Sequence, residues 1–232
     1  MLRIRHSSER GQADHGWLKA HHSFSFGDYY DPANMGFSVL RVINEDVVAP
    51  GTGFGMHGHR DMEIITYILE GELRHADSMG NGAVIRRNEV QVMTAGSGVR
   101  HSEVNPSSTQ PVHLLQIWIT PGERDLTPAY AQKLFDPVAQ RGRLQLLAAP
   151  EGSEGSLVIH QDARVYAALL DGDETLAIAL RPERKGYLHV AAGRLLVQDM
   201  LLQAGDALEV SDETRLDLKG GHAAEFLFFD LP

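Results

Sequence analysis

One pattern occurs twice in this chain, half a chain length apart, and it limits the fold more than any other feature. Tyr67–Leu73 (YILEGEL) carries a strand-like run into Gly71, and Asn88–Met93 (NEVQVM) opens the next run with a turn residue and an acid. His189–Leu195 (HVAAGRL) and Gly205–Val210 (GDALEV) repeat that order around Gly193. Asn88 follows Gly71 by 17 positions and Gly205 follows Gly193 by 12, so the second loop is five residues shorter. Self-similarity on this scale means two copies of one unit.

The segments between the repeats read as short strands. Phe37–Ile43, Glu63–Leu69, Glu89–Met93 and Val112–Ile119 are β-branched or apolar and are bounded by Gly, Pro, Asn or Asp. Leu144–Leu147, Leu157–His160, Glu174–Leu180, Tyr187–Val190, Arg194–Gln198, Ala207–Val210 and Ala224–Phe229 continue the rhythm. Strands at this spacing predict an all-β sandwich or barrel. One helix is expected, at Thr127–Asp136, with Thr127 as N-cap and Pro128 at the first helical position. The domain connection is placed within Thr120–Glu154, giving an N-terminal unit at 1–125 and a connecting segment plus second unit at 126–232.

Composition excludes several functions. The 21 Lys+Arg against 31 Asp+Glu leave a net charge of −10, without the basic stripe of a protein that grips nucleic acid. There is no cysteine, so disulfides, thiolate nucleophiles and thiolate metal sites are out. No apolar run approaches the ~20 residues of a membrane span, and Met1–Gln12 has no apolar leader core. The chain is expected to be soluble and cytoplasmic, without direct nucleic-acid or membrane contact.

Two clusters carry chemistry: Gly51-x5-His57-x-His59-x3-Glu63, and Gly96-x-Gly98-x2-His101-x-Glu103. In a strand, residues i and i+2 share a face, so His57 and His59 can aim two imidazoles at one point, and His101 and Glu103 an imidazole and a carboxylate. If the two strands face each other, three nitrogens and an oxygen converge. That set suits a divalent first-row metal and leaves one or two positions open for exchange, as in catalytic sites. Spacing alone leaves open whether Glu63 is a ligand or orients a ligand from behind.

These clusters and their flanks resemble the pirin family of cupins. The resemblance rests on Phe54–Asn81 (FGMHGHRDMEIITYILEGELRHADSMGN), Gln91–Ser108 (QVMTAGSGVRHSEVNPSS) and His15–Pro32 (HGWLKAHHSFSFGDYYDP), and extends to the C-terminal FLFFDLP. It is nearest to the bacterial pirin-like quercetin 2,3-dioxygenases. The first motif departs from the general cupin pattern in one respect, since Gly71 follows Glu63 by eight positions rather than seven.

The resemblance implies a bicupin: two double-stranded β-helix barrels of jelly-roll type, with one divalent metal in the first. It places the ligands at His57, His59, His101 and Glu103, with Glu63 behind them. Fe(II) is the expected ion, with nickel, cobalt, manganese, copper or zinc as alternatives. The implied activity is a dioxygenase that opens the heterocycle of quercetin-like flavonols with O2 and releases carbon monoxide. Glu103 is the candidate base, with Glu63 second. The alternatives are a non-enzymatic regulator that binds a protein partner in a metal- or redox-dependent way, and a cupin isomerase or binding module. A monomer or weak homo-oligomer is expected.

Counting the ligand offsets into the second repeat lands on Ala179, Arg181, Leu218 and Gly220, none of which can replace the four donors. The second barrel is therefore expected to lack a metal, with His189 and His222 as ordinary residues. His21 and His22 are read as structural histidines, and His75 and His113 as barrel residues with satisfied partners, with reach into the pocket as the alternative for these two. Phe24, Phe26, Tyr29 and Tyr30 are read as packing an N-terminal segment onto the barrel, with the lining of an aromatic substrate's pocket as the alternative, and Trp17 and Trp118 as core.

Overall fold

Two glycines show why the repeat folds as it does. Gly71 (φ +79°) turns the strand Glu63–Glu70 into Glu72–Asp77, and a Cβ there would sit 2.7 Å from the Pro111 carbonyl oxygen. Gly193 (φ +67°) bends the long strand Lys185–Val197, and a Cβ there would sit 2.2 Å from the Ala223 oxygen. Both positions combine a left-handed backbone with close approach of a neighbouring strand, which only glycine tolerates.

A computed structural model describes all 232 residues and divides into two units. The first comprises Gly11–Phe135 with Leu157–Gln161. Its larger sheet runs in the order Ala129–Leu134, Glu89–Thr94, Glu63–Glu70, Val112–Ile119, Leu40–Val48, Leu18–His22, Gly11–Asp14. Its smaller sheet runs Gly53–His59, Val99–Val104, Glu72–Asp77, Gly82–Arg86. Leu73 and Ile85 of the small sheet pack against Val48, Ile68, Val112 and Leu114 of the large one, closing one end of the sandwich with apolar side chains.

The second unit comprises Met1–Arg10, Asp136–Ser156 and Asp162–Pro232. Leu2–Arg5, Ala207–Val210, Lys185–Val197, Arg215–Leu231, Arg164–Leu170 and Gln145–Ala149 are adjacent in that order, all antiparallel. Its interior is filled by Leu170, Val190, Leu195, Leu216, Phe226 and Phe228, among others. The division falls at Phe135/Asp136, ten residues beyond the expected 125/126, and the first ten residues join the second unit through Leu2–Arg5.

The helix expected at Thr127–Asp136 is a strand. Ala129–Leu134 pairs antiparallel with Glu89–Thr94, Ala129 opposite Thr94 and Leu134 opposite Glu89. Pairing along a sheet edge satisfies the backbone groups of alternate residues of this segment, and this non-local pairing overrides a weak local helix preference. The only helical segments are three short 3-10 turns, and no helix is long and apolar enough to cross a membrane.

Candidate metal centre

The two motifs lie on adjacent strands. Gly53–His59 pairs with Val99–Val104, placing Phe54 opposite Glu103, His57 opposite His101 and His59 opposite Val99. Between the first two pairs, three steps on one strand face two on the other, which is a β-bulge. A bulge shifts the in/out alternation by one residue. Phe54, His57 and His59 therefore all line one cavity, which strict alternation would forbid.

The three imidazoles converge there. Ring centroids are 4.4 Å apart for His57–His101, 4.8 Å for His57–His59 and 4.9 Å for His59–His101. Their candidate ligand atoms lie within 4.8 Å of one another. His57 Nδ1 is 2.7 Å from the Gly55 carbonyl oxygen; a carbonyl only accepts, so Nδ1 is the donor and Nε2 is the nitrogen left for another contact. Burial, with His57 alongside, pulls His59 down to about 4. Burial and the same crowding pull His101 down to about 3. Both rings are thus neutral at pH 7, as a metal ligand must be. His101 Nε2 is buried with no hydrogen-bond partner.

Glu103 is buried beside this group, its ligand atoms within 4.8 Å of those of His75 and His101. Its Oε2 accepts 2.7 Å from Gln116 Nε2, and its Oε1 lies 3.4 Å from the Thr66 hydroxyl. Burial raises its pKa, and donation from Gln116 and the nearby His75 and His57 hold that rise back. Three clustered imidazoles, one of them with an orphaned ring nitrogen, and one oriented carboxylate form a donor set that fits a divalent transition ion. The cavity beside it, of about 210 Å3, is walled by Phe26, Phe54, Ile64 and Trp118, with Asn44, Asp46 and Gln116 as its other polar residues.

Glu63 does not reach this cavity. Ile64 lines it and Thr66 touches Glu103, so by the two-residue period Glu63 faces the opposite side of the sheet. There its Oε2 accepts 3.0 Å from the Thr94 hydroxyl, and its Oε1 lies 3.3 Å from His160 Nδ1. It touches none of the three clustered histidines, which corrects its reading as second base or support for a ligand. Trp118 is likewise corrected from core residue to cavity wall, stacking edge-on to Phe26 and His59. Trp17 is only partly buried and packs edge-on against Phe54.

Other residues fall as read or are new. His113 Nε2 pairs with Glu45 at 2.9 Å. Phe24 is buried, whereas Tyr30 is 72% exposed. Phe26 walls the cavity, and His22 Nδ1 contacts Asn44 Oδ1 at 2.8 Å. Sequence reading missed Asp46. Burial, with Glu103 and Glu45 nearby, pushes its carboxyl up to about 7. Its signal was present in Leu40–Val48 (LRVINEDVV), where Asn44 and Asp46 share the period-two face of the apolar Val42 and Val48. A polar pair on a buried strand face needs a reason.

The Pirin family profile matches residues 3–119, and that of the quercetinase C-terminal cupin domain matches 146–231. The chain is 46% identical over 232 residues to a quercetin 2,3-dioxygenase of Escherichia coli K12, covering all of this chain and 99% of that protein. It is 43% identical to a pirin-like protein of Caulobacter vibrioides, covering 95% of each. Among solved structures, a bacterial pirin from Escherichia coli in complex with nickel(II) superposes with a TM-score of 0.95 at 45% identity, covering 100% of this chain and 99% of that one. With profiles on both halves and full-length identity of this order, this chain is a bicupin belonging to the pirin family.

Proposed function

We propose that the first unit holds one divalent metal through His57, His59, His101 and Glu103, and uses it to open quercetin-like flavonols with O2. The observation that carries this is the cluster of three imidazoles, with the buried Glu103 carboxylate beside His101, on one aromatic-walled cavity. The name of the Escherichia coli relative supplies the substrate class, and the nickel(II) complex of the similar bacterial pirin supports a first-row divalent ion. Fe(II) is our choice of resident ion, with nickel next, since imidazole and carboxylate accept both.

Bound there, the ion would supply Lewis acidity toward the flavonol oxygens and an exchangeable position. The chain's own residues do the rest. Phe26, Phe54 and Trp118 present aromatic surface to a planar ligand and exclude water. Glu103 Oε1, contacted only at 3.4 Å by Thr66, takes the proton of the flavonol 3-hydroxyl while Gln116 holds Oε2. In the overall reaction both atoms of O2 enter the opened ester and one ring carbon leaves as carbon monoxide. The cavity is small for three rings. A neighbouring cavity of about 560 Å3 shares the Phe26 and Phe54 walls.

The test is consumption of quercetin under air by metal-stripped protein reloaded in turn with Fe(II), nickel or cobalt. Metal-dependent bleaching with carbon monoxide release, absent in a His57→Ala/Glu103→Ala double variant, is the expected result. Tight metal binding without turnover by any ion overturns the substrate assignment and leaves metal-dependent binding of a protein partner as the reading to pursue.

A further inference from the structure

His75 is fully buried, lies outside the proposed ligand set and is next to it. Its strand, Glu72–Asp77, pairs with Val99–Val104 so that His75 faces Glu103 and Asp77 faces His101. Tyr130 stacks on the His75 ring at 4.7 Å and an interplanar angle of 29°, fixing its plane. Each ring nitrogen has one neighbour: Nε2 is 3.0 Å from Asp77 Oδ2, and Nδ1 is 3.5 Å from Nδ1 of His101.

Donor and acceptor roles along this chain follow from its outer end. Asp77 Oδ1 accepts the backbone N–H groups of Met79 and Asn81 at 2.9 and 3.0 Å, and Oδ2 accepts Asn81 Nδ2 at 2.9 Å. A carboxyl facing three such donors is an ionised acceptor. His75 Nε2 must then donate to it. One hydrogen fits between the two facing Nδ1 atoms, and His101 Nε2, buried with no acceptor in reach, is the costlier place for the ring hydrogen of His101. Nδ1 of His101 therefore donates and Nδ1 of His75 accepts. His101 Nε2, buried and without another partner, is left with its lone pair directed among the clustered histidines.

We infer that Asp77 and His75 are positioning residues that lock His101 in the Nδ1–H tautomer, leaving its Nε2 as the metal-facing nitrogen. This deepens the metal site proposed above and rests on it, but not on flavonol turnover. A carboxylate or neutral acceptor behind a ligating histidine fixes ring and tautomer and raises ligand basicity. Here the acceptor is one residue further back, so Asp77 acts on His101 only through His75.

Two measurements test this. The first is long-range proton–nitrogen NMR of histidine-labelled wild-type protein, metal-free and zinc-loaded, with His101 and His75 signals assigned by their loss in single variants. The expected result is His101 as Nδ1–H and His75 as Nε2–H, both before and after loading. An Nε2–H His101, or averaged tautomer shifts in the metal-free protein, overturns the inference. The second is nickel(II) affinity by chelator competition. His75→Leu removes the acceptor and should weaken binding about 10–100-fold. His75→Asn places an amide oxygen near the position of Nδ1 and should recover most of that loss. Equal loss in both, or none in either, overturns the inference. If His75→Leu fails to fold, the wild-type tautomers decide. A wild type that binds no nickel defeats the metal reading itself, while absent turnover with normal nickel binding defeats only the flavonol reading.

Discussion

The two units share one repeat, and both bury polar side chains, such as His189 and Asp206 in the second, but the first gathers histidines and a carboxylate into a cluster. In the second, Leu218, Leu216, Phe226 and Phe228 meet in an aliphatic and aromatic core. In the first, one end is equally apolar, around Leu73 and Ile85, but the other buries His75, His101, Glu103, Gln116 and Asp46. Buried polar and charged groups cost stability unless every one finds a partner. The first unit leaves His101 Nε2 and Asp46 Oδ1 without one. One scaffold thus serves as a closed core in one copy and as a coordinating cavity in the other, and the difference lies in a handful of inward-facing positions.

The repeat count locates those positions imperfectly. Offsets from Gly193 land on Ala179 and Arg181, both exposed, while the adjacent Ile178 and Leu180 are the buried residues. Leu218 is buried, as the count requires. Either way, aliphatic side chains occupy the second unit's inward positions there.

The sharpest way to break the contrast is to remove donors from the first unit. His101→Ala combined with Glu103→Ala should abolish stoichiometric nickel or iron binding and bring flavonol consumption to background. Metal content after dialysis and oxygen uptake are the measurements. Retention of a tightly held ion would mean that His75, His57 and His59 suffice, and would move the site. The unfolding temperature of the metal-free variant should not fall, because the substitutions remove crowded, desolvated groups rather than apolar packing.

The opposite manipulation belongs to the second unit. Phe226 is fully buried in its core. Phe226→Ala should cost about 3–5 kcal/mol through lost burial and the cavity left behind. At roughly 2–4 °C per kcal/mol for a chain of this size, calorimetry should show a fall of the order of 10 °C. Metal affinity measured well below that transition should be unchanged. A large loss of affinity would show that the first unit's site depends on the second unit's core.

Much of this was legible in the sequence, and the gaps have physical causes. His57, His59, His101 and Glu103 announce themselves because period-two spacing on strands is a short-range property. The bulge that puts Phe54 on the same face as His57 is a mismatch between two strands, so neither strand shows it alone. The strand Ala129–Leu134 was misread for a related reason: its identity is set by the edge it joins, 35 to 45 residues earlier in the chain, as the pairing of Ala129 with Thr94 and of Leu134 with Glu89 shows. Asp77 and His75 were present as residues, but their alignment behind His101 exists only through the register of two strands.

Asp46 offers a pH-dependent test of the same trade. Its carboxyl is pushed up to about 7 from 3.8, mainly by burial and then by Glu103 and Glu45. The folded state therefore holds this proton more tightly than the unfolded state. Its contribution to stability is full below the unfolded value and is lost as pH rises toward 7. Asp46→Asn, measured metal-free, should leave stability nearly unchanged at pH 4 and raise it by about 4 kcal/mol at pH 8. A constant difference across that range would show that Asp46 is solvated through the cavity and carries no such burden.

The smallest expected effect separates the two faces of a single strand. Thr66 and Ile64 face the cavity, and Glu63 faces away toward Thr94 and His160. Glu63→Gln keeps an oxygen to accept the Thr94 hydroxyl and removes a buried charge whose pKa burial already raises. Stability should then change by about 1 kcal/mol or less, in the favourable direction as pH rises, because the wild-type carboxyl loses its stabilising proton over that range. Nickel affinity and turnover should match the wild type. A tenfold loss of nickel affinity would return Glu63 to the metal site, and it would mean that the coupling crosses the sheet through Thr94 rather than through the cavity. Thr94→Val would then show the same loss, whereas under the assignment made here it changes stability alone.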